Sequence, residues 1–422
     1  MFIKLKNKYK QEFYNRWFEF IDNNPFSLSK DFRYLNYWDW DTLSRHPYIT
    51  IDFVKRNLNK PWNWKWLTIK ENISLNDINE NIELPWCWMT MSSRKDITFD
   101  FIKKNINKPF YWYDLSKNKN IDWETIKNNL NERWYWLAVS MNTNITFDIV
   151  KNNPNMPWHW EGISMNSNIT LDDVRNNMDK PWNYIWLSSN VNIEWDFIIK
   201  NSYKNWNWSE LSGNKNITFD IIKNNLHFPW NWTRISRRVS SDIVIDNPQF
   251  NWDWTTQGLS TNSNTTLELI DKYHYKDWDW CSLSSNPNMT LEFIKKYPTK
   301  RWHWDVISHS HIATWDNIRF NQECNWCMSS ASTNQTITFN IIKNYRDMNW
   351  NFYNVSMNPN ISLDIILDNK DYHWNFNALS SNMMTKSCNK YVNKKINELT
   401  IMILNRYVYY DISMIIIGKL NY

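Results

Sequence analysis

The chain has 422 residues, 42% of them apolar, and a formal charge of +5, so it can bury a core and shows no charge excess that demands a polyanionic partner. Four glycines leave little room for Gly-rich phosphate loops, and five cysteines, an odd number, fit a reducing compartment better than a disulfide framework. No apolar run approaches the roughly 18 residues of a membrane-spanning helix. The basic stretch 1–10 is followed by no uninterrupted apolar region, so an intracellular rather than secreted protein is expected.

Residues 1–37 read as an irregular N-terminal cap with a degenerate repeat, holding Trp17, Phe18 and Phe20, with Ser27 as the candidate cap of a first helix. From Trp38 an aromatic pair, usually Trp-x-Trp, returns fifteen times, and Trp38 to Trp374 is fourteen steps of 24 residues. One slip corrects itself: the step from Trp230 to Trp252 is 22 and the step to Trp278 is 26. The units align if 236–239 has lost two loop residues and 254–259 has gained two, so a continuous array with a bulge near Thr255 to Gly258 is expected. After Asn382 the motif decays. Residues 383–422 are expected to form capping helices, with Asn389 to Leu404 closing the array and Arg406 to Tyr422 packing across the last unit. A period in this range marks stacked units, each covering the apolar face of the next.

Numbered from its first Trp, the unit Trp158 to Pro181 carries an aliphatic residue at position 6 (Ile163), Ser at 7 (Ser164), Asn at 9 and 11 (Asn166, Asn168), Ile-Thr at 12 and 13, and Val at 17. Thr170 is a good N-cap, Ile169 and Val174 form a hydrophobic staple, and Asp172 lies where the helix dipole favours an anion. This predicts a second helix with an apolar arc at positions 14, 16, 17, 20 and 21. Pro181, at position 24, suits a first helical turn. It suggests a first helix with Trp160 and Ile163 on one face and Trp158 on the other, apolar on both sides and so sandwiched between its partner helix and the next repeat. The Asn residues suit turns because Asn tolerates left-handed backbone. The expected fold is therefore all-α: an α-solenoid of about fifteen 24-residue helix pairs with atypical capping ends, each helix about 6 to 10 residues long. A leucine-rich-repeat horseshoe also fits the period, but its strand signature is absent.

The phrase PW-x-W-x-x-LS-x-N-x-N-IT, carried by Pro157 to Asn177 and Pro181 to Asn201, resembles the Trp/Asn-rich repeat proteins of giant DNA viruses of the mimivirus kind. The resemblance covers residues 38–382. It implies a viral, intracellular protein, in host cytoplasm or virion, built as a repeat scaffold. It supplies no catalytic residues, since the family has no established activity.

Candidate chemistry is sparse. Cys324 and Cys327 form a C-x-x-C with His309 and His311 nearby, but they fall at ordinary repeat positions 23 and 2. The sequons at Asn72, Asn144, Asn168, Asn216, Asn264, Asn288 and Asn360 are loop asparagines of the repeat. Position 18 offers a basic stripe: Lys55, Lys103, Lys127, Lys151, Arg175, Lys223, Lys295, Arg319 and Lys343. Evenly spaced cations could track a phosphate backbone, although most have an acid three residues earlier, an ordinary pairing on a solvated helix face. No Walker loop, nucleophile elbow or H-E-x-x-H occurs. The reading is a non-enzymatic protein–protein interaction scaffold, with nucleic-acid or polyanion binding along the stripe as the alternative. No catalytic, cofactor or metal residues, no membrane and no small-molecule substrate are expected, and the partner is an unidentified host or viral protein.

Overall fold

A computed structural model of the protein describes residues 2–24, 26–27 and 36–419, with side chains for 3–24 and 38–402. It is an all-helical repeat solenoid; among the described residues the one β element is the two-residue pairing of Phe26–Ser27 with Asn36–Tyr37. Two compact units divide the chain: Trp64–His303, and Met1–Asn63 together with Trp304–Tyr422.

Each repeat is built from the expected helix pair, with helices at or below the lower end of the expected length. In the type repeat they are Trp160–Met165 and Leu171–Arg175, six and five residues, and Trp88–Met91 is only four. The first helix starts at position 3, not at the proline. Pro157 is the centre of a three-residue turn in which the Trp158 N–H donates to Met156 O at 2.7 Å, a conformation close to the φ that proline fixes. The second helix starts where expected: Thr146 accepts from Ile149 N, and Thr170 forms a full capping box with Asp173.

Helices this short leave nearly all of their backbone groups without an internal partner, and the repeated polar residues supply partners across the repeat interface. The position 7 hydroxyl accepts from the position 2 N–H of the next repeat, as in His159 N to Ser140 Oγ (3.0 Å) and Asn183 N to Ser164 Oγ (3.0 Å). Several of these hydroxyls also donate back to the carbonyl four residues earlier, as Ser188 does to Tyr184 O. Position 9 is buried. Asn166 is 2% exposed, and its Nδ2 donates to Ser140 O, Asn142 O and Ile145 O while its Oδ1 accepts from Asn168 N. Where position 9 is arginine the same acceptors are reached by a guanidinium: Arg94 donates to Thr68 O, Lys70 O and Ile73 O. Partial burial opposes ionisation of its partner Asp96, yet the Arg94 hydrogen bonds and charge hold that carboxyl below its ordinary range. Position 20 works through its amide rather than through left-handed backbone. Asn153 has φ −130° and donates from Nδ2 to Ile149 O; among the described residues the one non-glycine with positive φ is Met384.

Of the two aromatic positions, both expected in the core, position 1 lies deeper. Position 1, outside the helix, is the more buried: Trp134, Trp182 and Trp206 are 7%, 5% and 5% exposed. Its indole N–H donates to the position 20 carbonyl just before it, as Trp182 does to Asn177 O at 2.8 Å. Position 3 is mostly half-buried, Trp160 included, and meets the next position 1 ring edge-on: Trp160 and Trp182 lie 5.0 Å apart at 88°, and Trp112 and Trp134 lie 5.2 Å apart at 86°. Position 1 is thus clamped between two repeats.

At the slip the array is continuous. The Ser236 bond to Asp253 N spans 17 residues instead of 19, and Asn262 still donates to Ser236 O and Val239 O. The extra residues form the bulge before the single-turn helix Leu259–Thr261. There a Cβ on Gly258 would lie 2.1 Å from Asp253 O, so only glycine fits.

The N-terminal segment corrects the sequence reading. Phe2–Asn23 is one 22-residue helix, and Ser27 lies in the short β pairing instead of capping a helix. The last turn of that helix has the side-chain pattern of a second repeat helix. Ile21 is buried at the place of position 17, Asn24 donates to Phe20 O, and Asn24 O accepts from Trp38 Nε1 at 2.7 Å. Its first-helix partner is at the far end of the chain: Asp39 N donates to Ser380 Oγ at 2.9 Å, and the Trp38 and Phe376 rings stack at 4.8 Å. One repeat is therefore assembled from Phe376–Ser380 and the end of the N-terminal helix. The C-terminal segment is a single helix, Thr385–Lys419, packed on the N-terminal one. The expected packing of Arg406 to Tyr422 falls outside the described side chains.

Three stability outcomes follow from this chemistry. Trp182→Ala should cost about 3–5 kcal/mol in denaturant unfolding and Trp160→Ala clearly less; the reverse order would put position 3 at the core. Asn166→Ala should destabilise, because the three carbonyls lose their donor and buried acceptors left unsatisfied cost about 1–3 kcal/mol apiece. Asn166→Asp should cost more still, because it also sets a buried charge against carbonyl oxygens; an Asn166→Ala variant that melts like wild type would remove the donor role. Burial also pushes the Lys70 ammonium at position 9 down to about 8. Between that value and its ordinary 10.5 the unfolded chain holds a proton that the folded chain has shed, so stability should rise with pH across this window. Lys70→Gln should flatten the rise, and an unchanged slope in that variant would assign it to another group.

Candidate interaction surfaces

Once the interior is accounted for, three outward positions remain to be placed. All nine position 18 cations are exposed, in the last turn of their second helices or, for some, at its end. They do not form an unbroken track. Position 18 is Ile199 and Leu367 in two other repeats, 37% and 38% exposed, and Asp271 in a third. Asp271 Oδ1 accepts from Lys296 Nζ at 2.5 Å and from Tyr297 OH at 2.6 Å. Those two hydrogen bonds hold the Asp271 carboxyl below its ordinary range, while burial and the Asp271 charge push the Tyr297 phenol up to about 12. Some stripe members are also engaged: Arg175 pairs with Asp172 and Glu194, and Arg319 lies over the Phe320 and Tyr345 rings.

A second set of cations was not apparent from the sequence alone. Lysines at position 23 lie over the position 3 ring of their own repeat: Lys60 over Trp40, Lys108 over Trp88, Lys276 over Trp254 and Lys300 over Trp280, at 4.9 to 5.8 Å. In other repeats the cover is a flat ring, Phe228 on Trp208 at 4.2 Å and Phe250 on Trp232 at 5.3 Å. Cation and ring serve the same end, since each covers a face of the position 3 indole. The signal was a Lys or aromatic two residues before most position 1 aromatics.

Exposed apolar side chains recur at position 21, as Leu58, Ile106, Leu130, Met178 and Leu226, and a second apolar set lies elsewhere. On and beside the first helices of Trp64–His303, Met89, Tyr111, Tyr135, Ile185 and Trp186 are 61%, 47%, 51%, 39% and 40% exposed. Tyr113 bridges the two outer tyrosines, 5.9 Å from Tyr111 and 5.2 Å from Tyr135. Farther along the same unit, positions 2 and 4 are Asn207 and Ser209, Asn231 and Thr233, then Asp279 and Cys281. The apolar patch is therefore local and is not a property of the repeat.

The other sequence candidates fall into structural places. Cys327 N donates to Ser308 Oγ as any position 2 does, and among the described residues no three His, Cys, Asp or Glu groups gather as metal ligands. The sequon amides of Asn144, Asn216 and Asn360 donate to carbonyls of the preceding repeat. No described helix is long and apolar enough to cross a membrane. Comparison with protein-family models, with curated proteins and with solved structures finds no match.

Proposed function

We propose that the protein is a non-enzymatic protein-interaction scaffold of viral origin, acting inside the host cell, and that the Tyr111–Tyr135 patch is its principal contact. The patch carries the reading. Tyr is among the residue types enriched at interface centres, and here Tyr111, Tyr113 and Tyr135 form a run of ring contacts whose outer members are exposed. The viral origin is supported by the resemblance of the repeat phrase alone.

The test is a pair of surface substitutions. Tyr111→Ser with Tyr135→Ser should leave the unfolding midpoint nearly unchanged, since surface changes are usually worth within about 0.5 kcal/mol. The same variant should lose the protein that wild type captures from a host-cell extract. Equal capture by both would place the contact elsewhere. The exposure of all nine position 18 cations keeps nucleic-acid or polyanion binding as the second reading. Retention on DNA or RNA with a steep salt dependence, lost in a Lys151→Glu, Arg175→Glu variant, would favour it.

A further inference from the structure

The joint between the two chain ends contains a cavity of about 560 Å³, walled by the N-terminal helix, the last complete repeat and the C-terminal helix. Five cations line it, Arg16, Lys386, Lys390, Lys394 and Lys395, against two carboxylates, Asp364 and Glu398. Lys386, Lys390 and Lys394 are spaced four residues apart, so they share one helix face and follow each other by about 6 Å per step. Like charges at that spacing repel and destabilise a helix by a few tenths of a kcal/mol per pair, a cost that an anion would remove.

The two carboxylates are already committed. Asp364 lies 3.7 Å from Arg16, and Glu398 is shared by Lys394 at 4.0 Å and Lys395 at 3.3 Å. Lys386 donates to Asn360 Oδ1. Lys390, midway along the row, is exposed and makes no ion pair among the described residues. The Ser387 and Ser362 side chains add neutral hydrogen-bonding groups to the lining. A single phosphate would meet one step of this row; a chain of phosphates matches its length.

We propose that this cavity binds a small soluble polyphosphate, held along Lys386, Lys390 and Lys394 and reached from the opposite wall by Arg16. Such a ligand touches both ends of the chain at once, so its binding strengthens the joint that completes the composite repeat. The site is separate from the position 18 stripe and from the tyrosine patch.

Titration calorimetry of the full chain with sodium tripolyphosphate tests it. Wild type should bind one equivalent, more weakly at higher salt, and tripolyphosphate should raise its melting temperature. Lys386→Glu with Lys390→Glu should weaken binding at least tenfold. The milder Lys390→Gln, whose fold is not at risk, should weaken it several-fold. Lys151→Glu on the stripe should bind as wild type. Absence of binding at millimolar tripolyphosphate, or binding indifferent to both cavity variants, overturns the proposal. So does equal loss in Lys151→Glu, or a 12-residue oligonucleotide that binds more tightly through the stripe, because either assigns the affinity to general surface charge.

Discussion

A helix of four to six residues cannot stand in water on its own, because closing its first turn fixes more backbone freedom than its few hydrogen bonds return. Every other feature of this chain answers that constraint. Unpaired donors and acceptors at each helix end are met by three polar positions: a hydroxyl at 7, an amide at 9 and an amide at 20. The buried indole at position 1 donates its N–H to the position 20 carbonyl, which a backbone N–H also reaches, as at Asn177 O. The polar atoms work mostly between repeats, as in the three carbonyls of the previous unit held by Asn166. The structure is therefore cooperative from unit to neighbouring unit and weak within any single one.

The consequence for function is a division of labour along the 24 positions. The positions that carry aromatic rings, serines and asparagines are held by the stacking, and substitutions there act on stability. Positions 2, 4, 5, 8 and 18 reach outward and differ from repeat to repeat. Such a surface can change character locally, as at Tyr111, Tyr113 and Tyr135 and along Lys386, Lys390 and Lys394.

Much of the fold was legible because the repeat prints the same local signals fifteen times. Thr170 as N-cap, the Ile169 and Val174 staple and Asp172 in the first turn marked a helix start that the structure reproduces. The first helix was misplaced by a rule that is sound elsewhere: proline favours a first helical turn, but Pro157 is needed in a tighter turn just ahead. Helical periodicity was applied to Trp158, which lies outside the helix and donates its indole N–H to Asn153 O. The polyphosphate cavity was invisible, since Arg16 and Lys390 are brought together only by the meeting of the chain ends. The N-terminal helix had a faint signal. Ile21 and Asn24 stand three apart, as Val174 and Asn177 do, but the first-helix half that would have framed them is at the other end of the sequence.

That displaced half gives the protein a problem of timing. Its repeats can consolidate in order as the chain leaves the ribosome, each on the one before. The N-terminal helix cannot, because the strand of sequence holding Phe376 and Ser380 is made more than 350 residues later. At ordinary elongation rates that interval is on the order of 20–70 seconds. Throughout it Phe13, Tyr14, Trp17, Phe18 and Ile21, all buried in the finished molecule, have no native cover from the far end of the chain. A segment made late thus shelters one made much earlier, and a nascent chain stalled short of Phe376 would present a sticky amphipathic helix to whatever lies nearby.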